Sequence, residues 1–530
     1  MLCLLFYLPG LWALPPVDRD EPRFAQATRQ MLQSGDAVRP RFQAEPLYEK
    51  PIGIYWLQAA AVAGIACRDA IWPYRVPSAV GAILAVLGTL AIGARHCDRK
   101  TGLLAAALLA ASPVLVVEAD LATTDAVLLA CVVLSQGCLA EIYFAHVRGT
   151  VAGPWPVMGF WTGLGLGMLI KGPVAPAMSL LTIAALRFSR QPVRTADLRI
   201  PWGLPIIAAI VAPWALAVGI QTGWTFYGDA LRNDLLPKLI GGQESHGEPP
   251  GYYLVLSTAT FWPGSLVALP SVWSAVRQRH YRQDPWIRFL LAWLVPSWVL
   301  FELMPTKLPH YVLPTYPALA LLCARAIRMT PEVLRSGAST LSLGLWCGVG
   351  LLFAAVVLTA PIVLAGAIST VSFVPAIVAV ATVMIGKLLR DGGDSLRAMW
   401  VAILGSGLML ASTLGIVLPG IDPLWPSVRA ARAVDDRSFP VKPPLAVVGY
   451  REPSLVFLLG GDVARLDAGE AARLLAAQPS ALAWIEDGQR AAFESASMRE
   501  DVKLNEVATV DGWNISKGRR VRLHLFERIH

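Results

Sequence analysis

The chain has 530 residues, of which 55% are hydrophobic and 15% charged, and its mean hydropathy is +0.53. That much apolar surface exceeds what one soluble core can bury, and many stretches reach the roughly 20 residues needed to cross a bilayer. The formal charge of +8 is carried without any Arg/Lys stripe interleaved with aromatics, so nucleic acid is not an expected partner; in membrane proteins such an excess collects in cytoplasmic loops.

Apolar runs predict spans near 2–16, 73–94, 102–117, 122–145, 156–170, 173–187, 201–220, 252–275, 286–303, 312–328, 340–366, 371–389 and 398–419, about 13 in all by the length a bilayer requires. The first is short and has no Lys or Arg ahead of it, which reads as a clipped first helix rather than a signal peptide. Alternate loops at 94–100, 146–149, 187–194, 277–283, 328–335 and 387–397 are rich in Lys and Arg with few acids. By the positive-inside rule these are cytoplasmic, and the other set, including 18–51 and 221–251, lies outside. The seven cysteines lack a CxxC pair, so neither a zinc cluster nor a disulfide framework is expected.

The first external loop opens with DRDEPRFAQATRQMLQSGD. Pro22 stands near a helix start with Asp20 or Glu21 as cap, Phe24, Ala27, Thr28, Met31 and Leu32 recur at helical spacing, and Gly35 ends the helix. Such a helix is expected to lie on the membrane surface, apolar face down. EPLYEKPIGIYWLQ follows. It holds Lys50 on an extended segment before Pro51 and then starts an aromatic, interfacial helix containing Tyr55.

The later outer segments share this character. EADLATTDAVLL places Glu118, Asp120 and Asp125 at a helix end, GMLIKGPVAP places Lys171 at a Gly-Pro turn, and ELMPTKLPHYVLPTYPALALL places Glu302, Lys307, His310 and Tyr311 at a proline-rich turn. Each alone could be a structural ion pair. Ionisable groups at membrane depth are costly, however, and several segments contribute them to one face, so a single pocket of carboxylates and cations is expected. Cations there stabilise an anionic leaving group and a carboxylate takes a proton from an acceptor hydroxyl. The combination fits sugar transfer from a polyprenyl phosphate with inversion, and requires no cofactor. The alternative is a secondary transporter or lipid-linked-sugar flippase, which would place its charges near the midplane.

Beyond 420 the composition turns more polar. PPLAVVGYREPSLVFLLGG, AGEAARLLAAQ, ALAWIEDG and VRLHLFERI predict a small C-terminal α/β domain over 421–530, outside the cytoplasm, after a catalytic membrane domain over 1–420.

The loop DRDEPRFAQATRQMLQSGD…EKPIGIYWLQ, with TTDAVLLA, LIKGPVAP, HGEPPGYYLVLSTATFWPGSL and KLPHYVLPTYPALALL, resembles the GT-C glycosyltransferases. In particular it is similar to the protein O-mannosyltransferase and lipid A aminoarabinose transferase family. The resemblance implies an all-α polytopic GT-C fold in the bacterial inner membrane, with the active site and C-terminus periplasmic. It implies Asp20, Asp125 and Lys171 as catalytic, and Arg23, Lys50 and Lys307 as ligands of the donor phosphate. Tyr311, His310 and Tyr55 then belong to the carrier and substrate cavity. Glu49 matches a zinc-binding residue of the aminoarabinose enzyme, with His246 as its counterpart, so a divalent metal is the one cofactor the resemblance allows. The sugar is left open among mannose, aminoarabinose and galacturonic acid, and the acceptor among lipid, glycan and protein. Asp120 departs from the pattern, standing where relatives often have Arg.

Overall fold

The computed structural model describes residues 1–188, 193–230, 232, 248–277, 283–329, 337–437 and 443–529. The chain enters through α1 (Leu2–Ala13) and the loop helix α2 (Asp20–Ser34), passes a short hairpin of β1 (Arg41–Phe42) and β2 (Glu45–Pro46), and continues in α3 (Gly53–Ile65). A bundle follows: α4 (Trp72–His96), α5 (Arg99–Ala110), α6 (Pro113–Ala119), α7 (Asp125–Val147), α8 (Pro154–Lys171), α9 (Val174–Arg187) and α10 (Ile200–Gln221). After α11 (Thr225–Asp229) come α12 (Tyr252–Thr260), α13 (Trp262–Arg277), α14 (Pro285–Leu303), α15 (Tyr316–Met329), α16 (Gly337–Ala365), α17 (Phe373–Asp391) and α18 (Ser395–Ser412).

A helix stands at each expected span, but not each is one straight crossing. Among the described residues seven helices are long and apolar enough to cross a membrane, and α5–α6 makes an eighth if its 66° bend is counted within one span. The break falls before Pro113, which lacks the N–H that a continuous helix needs. The expected span at 252–275 is likewise divided into α12 and α13, beside Pro263. α1 and α9 are shorter apolar helices.

The two sets of loops separate to opposite ends of the bundle. At one end Arg95 pairs with Glu141, Arg328 with Asp98 and Arg325 with Asp284. The other end gathers the start of α4, the start of α7, the end of α8 and the turn before α15, along with the first loop.

The C-terminal domain runs through α19 (Pro426–Asp435), β3 (Leu445–Val448), α20 (Pro453–Leu458), β4 (Val463–Arg465), α21 (Ala468–Ala477), β5 (Leu482–Glu486), α22 (Arg490–Arg499), β6 (Leu504–Asn514) and β7 (Arg519–Arg528). Its sheet has the order β4-β3-β5-β7-β6, with β3 parallel to both neighbours and β7 antiparallel to both of its own. Alternate residues feed two cores. Val447, Trp484, Leu523 and Leu525 pack with α19 and α20, while Ala446, Val448, Ile485 and Phe526 pack with α21 and α22, the period of two that a strand imposes. The edge strand β6, whose exposed positions are mostly polar, carries no alternation that the sequence reading could use.

One expectation is corrected. Helix α2 does not merely lie on a membrane surface: Glu21, Pro22, Phe24 to Arg29 and Met31 are buried, because α3 covers one side and α20 the other. Gly35, at φ +73°, ends it as expected. Gly461, at φ +95°, lets the C-terminal domain approach so closely that a Cβ there would lie 2.3 Å from Gln26 Nε2.

Candidate active site at one end of the helical bundle

The first loop is held rigidly at both faces. Neither Asp20 nor Glu21 caps α2, whose N-cap is Arg19 without a side-chain bond. The Glu21 carboxylate turns inward instead. Arg75 of α4 donates to it from Nε at 2.7 Å and Nη2 at 2.9 Å, and both side chains are buried. Arg75 also donates to the carbonyls of Leu11, Leu14 and Pro15, while Glu21 accepts the N–H groups of Val17 and Ala122. One bidentate pair therefore ties together α1, α2, α4 and the turn before α7. Asp120, fully buried, lies against Gly10 of α1 within electrostatic reach of Arg75 and Glu21. Arg75, already paired with Glu21, acts on Asp120 only electrostatically.

The outer face of the loop is bonded to the C-terminal domain. Asp18 accepts from Ser454 N at 2.9 Å and from Ser454 Oγ at 2.5 Å. Burial, aided by nearby Glu452, pushes its carboxyl up to about 7, although the Ser454 bonds oppose the rise. Arg29 donates to the Phe457 carbonyl at 2.8 Å with its guanidinium 4.3 Å over the Phe457 ring. Gln43 donates to the Val463 carbonyl.

Between these anchors α2 presents Asp20, exposed at its first residue, and Arg23 one turn on, which pairs with Glu49 at 2.7 Å. Asp20, Glu49 and Arg23 all act electrostatically on Tyr55, which is fully buried edge-on against Phe24 at 5.8 Å.

A second group lies at the head of α7. Lys171, the last residue of α8, donates to Asp125 Oδ1 at 2.6 Å, and its ammonium sits 5.1 Å over the Tyr311 ring. His310 places Nε2 3.7 Å from Asp125 Oδ2 and Nδ1 3.2 Å from Glu118 Oε1. Glu118 Oε2 accepts the Thr123 hydroxyl at 2.6 Å. Lys50 is close enough to act on Asp125. The carboxylates of Asp125 and Glu118 hold the His310 ring above its ordinary titration range although burial opposes them.

The structure thus gathers Asp125, Lys171, His310, Tyr311 and Lys50, and sets Arg23, Glu49 and Tyr55 beside Asp20. Lys307 is held apart from any described carboxylate, buried and donating to the carbonyls of Glu248 and Met304. Glu302 caps α12 through the N–H groups of Gly251 and Leu254. His246 lies outside the described residues, and its proposed partner Glu49 has one oxygen committed to Arg23. Glu118, Asp125 and His310 offer ligand atoms within 4.8 Å of one another. The two carboxylates face opposite nitrogens of one ring, and Lys171 holds Asp125. Arg75 was missed by the sequence reading, although an arginine three residues into an apolar span is itself a signal.

An apolar groove of roughly 840 Å³ runs from just below this site toward the other end of the bundle. Val127 and Leu166 line it within two turns of Asp125 and Lys171, Val80 and Leu84 continue it, and Arg95 and Glu141 close it.

Comparison with known proteins agrees with this architecture. A family model described as dolichyl-phosphate-mannose-protein mannosyltransferase matches residues 49–216. The undecaprenyl phosphate-alpha-4-amino-4-deoxy-L-arabinose arabinosyl transferase of Pseudomonas aeruginosa (strain LESB58) is 31% identical over 356 residues, 64% of this chain and 62% of its own. The chain therefore spans a little under two thirds of the length of the curated relatives it matches. ArnT from Cupriavidus metallidurans bound to undecaprenyl phosphate superposes with a TM-score of 0.76 at 20% identity, covering 99% of this chain and 96% of that one. Its apo state gives 0.76 at 21% identity, covering 98% and 96%. With this fold over nearly its whole length, the chain is a multi-pass membrane protein with the fold of ArnT, similar in sequence over part of its length to protein mannosyltransferases and aminoarabinose transferases.

Proposed function

We propose that the protein is an inverting glycosyltransferase of the bacterial inner membrane. It moves a sugar from a polyprenyl-phosphate donor to a hydroxyl or phosphate of a lipid A-like lipid, a glycan or a protein, on the periplasmic face. The observation that carries this reading is the convergence of Lys50, Glu118, Asp125, Lys171 and His310, from separate segments, at one end of an apolar bundle. Asp20, Arg23 and Glu49 stand on the adjoining loop. The neighbouring groove is long and apolar enough for an isoprenoid tail, and a related fold holds undecaprenyl phosphate.

In this scheme Arg23 and Lys50 hold the donor phosphate, with Lys307 adding charge from the proline-rich turn. The acceptor oxygen attacks the anomeric carbon as the bond to the phosphate oxygen breaks. The electron pair leaves on the phosphate, where the cations stabilise it, and Asp20 takes or orients the acceptor proton. Lys171 and Asp125 fix the charge and geometry beside it. Attack opposite the leaving group inverts the anomeric centre, as in-line displacement does in glycoside chemistry. Neither nucleotide nor metal is required for the step.

The test uses purified protein in lipid with radiolabelled polyprenyl-phosphate sugars and candidate acceptors. Wild-type protein should transfer label, and Asp20→Asn should abolish transfer while still folding and binding the donor. Undiminished turnover in Asp20→Asn removes the assigned role; carrier movement without transfer by the wild type replaces the reading with a flippase.

A further inference from the structure

The surroundings of His310 require more of the ring than membership of a cavity wall. Each neighbouring carboxylate has one oxygen occupied by another donor: Glu118 Oε2 by Thr123 and Asp125 Oδ1 by Lys171. Glu118 Oε1 stands 3.2 Å from Nδ1, and Asp125 Oδ2, which also accepts the Thr124 hydroxyl at 3.3 Å, stands 3.7 Å from Nε2. A neutral imidazole has one N–H and one lone pair. Either tautomer would therefore aim a lone pair at a buried carboxylate oxygen, and only the imidazolium presents a proton to both.

We propose that His310 is an imidazolium clamp between Glu118 and Asp125 whose charge sets the affinity of the site for the phosphate of a polyprenyl-phosphate ligand, so that binding weakens when the ring loses its proton. The inference rests on the donor reading above and deepens it. The charged groups facing the ring or its partners are Glu118 at the end of α6, Asp125 at the head of α7, Lys171 at the end of α8 and Lys50 from the first loop. The titratable phenol of Tyr311 stands beside the ring on its own turn, with Tyr253 of α12 behind it. Two carboxylates against Lys50, Lys171 and a charged ring leave one positive charge in surplus. A neutral ring leaves none, so the incoming phosphate would meet a balanced site. His310 is thus a positioning residue: it holds Asp125 for Lys171 and supplies the charge by which the site accepts an anion.

The test is equilibrium binding of undecaprenyl methyl phosphate, a phosphodiester that keeps one negative charge throughout, to the full-length protein in nanodiscs between pH 6 and pH 9.5. Wild type should bind about tenfold more weakly at the alkaline end, the size expected for one lost charge interaction of about 1.4 kcal/mol. His310→Gln should bind about tenfold more weakly than wild type at pH 6 and show no step. His310→Lys, which restores a charge that does not titrate in this range, should restore tight binding without the step. Titration of labelled histidines by NMR, with the His310 signal assigned from its loss in His310→Gln, should show the ring protonated beyond the ordinary histidine range. A pH-independent wild type, or a step that survives in His310→Gln, overturns the proposal, as does a ring that is neutral below pH 6.5. If the ring is protonated as expected but wild type never binds the probe, the donor reading falls and with it the link to phosphate, while the clamp itself remains.

Discussion

Removing the charge from Arg75 tests how the first loop is held. Arg75→Met retains length and apolar character but leaves the Glu21 carboxylate, 1% exposed, with only the N–H groups of Val17 and Ala122. It also strips the carbonyls of Leu11, Leu14 and Pro15 of a buried donor. Breaking a buried pair from one side costs about 3–5 kcal/mol, because the surviving charge has no partner. Some carbonyls can recover partners by relaxation, so about 5 kcal/mol is the expected loss, with unrelieved acceptors adding roughly 1 kcal/mol each. Glu21→Gln should cost about 3 kcal/mol, since Arg75 keeps its carbonyl partners. The double variant should fall short of the sum by about 2 kcal/mol, the coupling expected of residues in one network. Unfolding free energies by steric trapping in bicelles read these values, and sugar transfer should fall in both single variants because Asp20 and Arg23 flank the anchored residue. A loss below about 1 kcal/mol in either single variant, or strict additivity, would refute the view that this pair fixes the loop.

Two further expectations concern the contact between loop and C-terminal domain. Arg29→Met removes the bonds to the carbonyls of Phe457 and Arg68 and the stacking on Phe457; a loss of about 2–3 kcal/mol is expected. Limited proteolysis should then cut the C-terminal domain faster, and an unchanged cleavage rate contradicts the anchoring role. Asp18 is pushed up to about 7 in the folded protein, so folding favours its protonated form. Its contribution is most favourable below the ordinary carboxylate range, declines as pH rises from there to about 7, and is level above. Asp18→Asn retains the neutral shape and should gain stability over wild type progressively across that window; a stability difference that does not change with pH rejects this assignment.

Hydropathy and loop charge were enough to identify a polytopic helical protein and to sort its loops into two ends, because a bilayer demands long apolar runs and segregates Lys and Arg whatever the tertiary packing. The motif-bearing loops also announced which acids and cations share an end: Asp20, Arg23, Lys50, Asp125, Lys171 and His310 are all found there. Their partners were decided elsewhere. That Glu21 turns inward to Arg75 rather than capping α2, that Glu118 and Asp125 stand beside opposite nitrogens of one ring, and that Lys307 donates to backbone carbonyls follow from how distant helices meet. So does the roof over α2, which a surface-lying helix would not need: Arg29 on the helix and Gln43 after it donate to carbonyls of a domain more than 400 residues along the chain. Local sequence records the cost of a charge near the membrane, but which group offsets that cost depends on three-dimensional proximity, and only the folded chain supplies it.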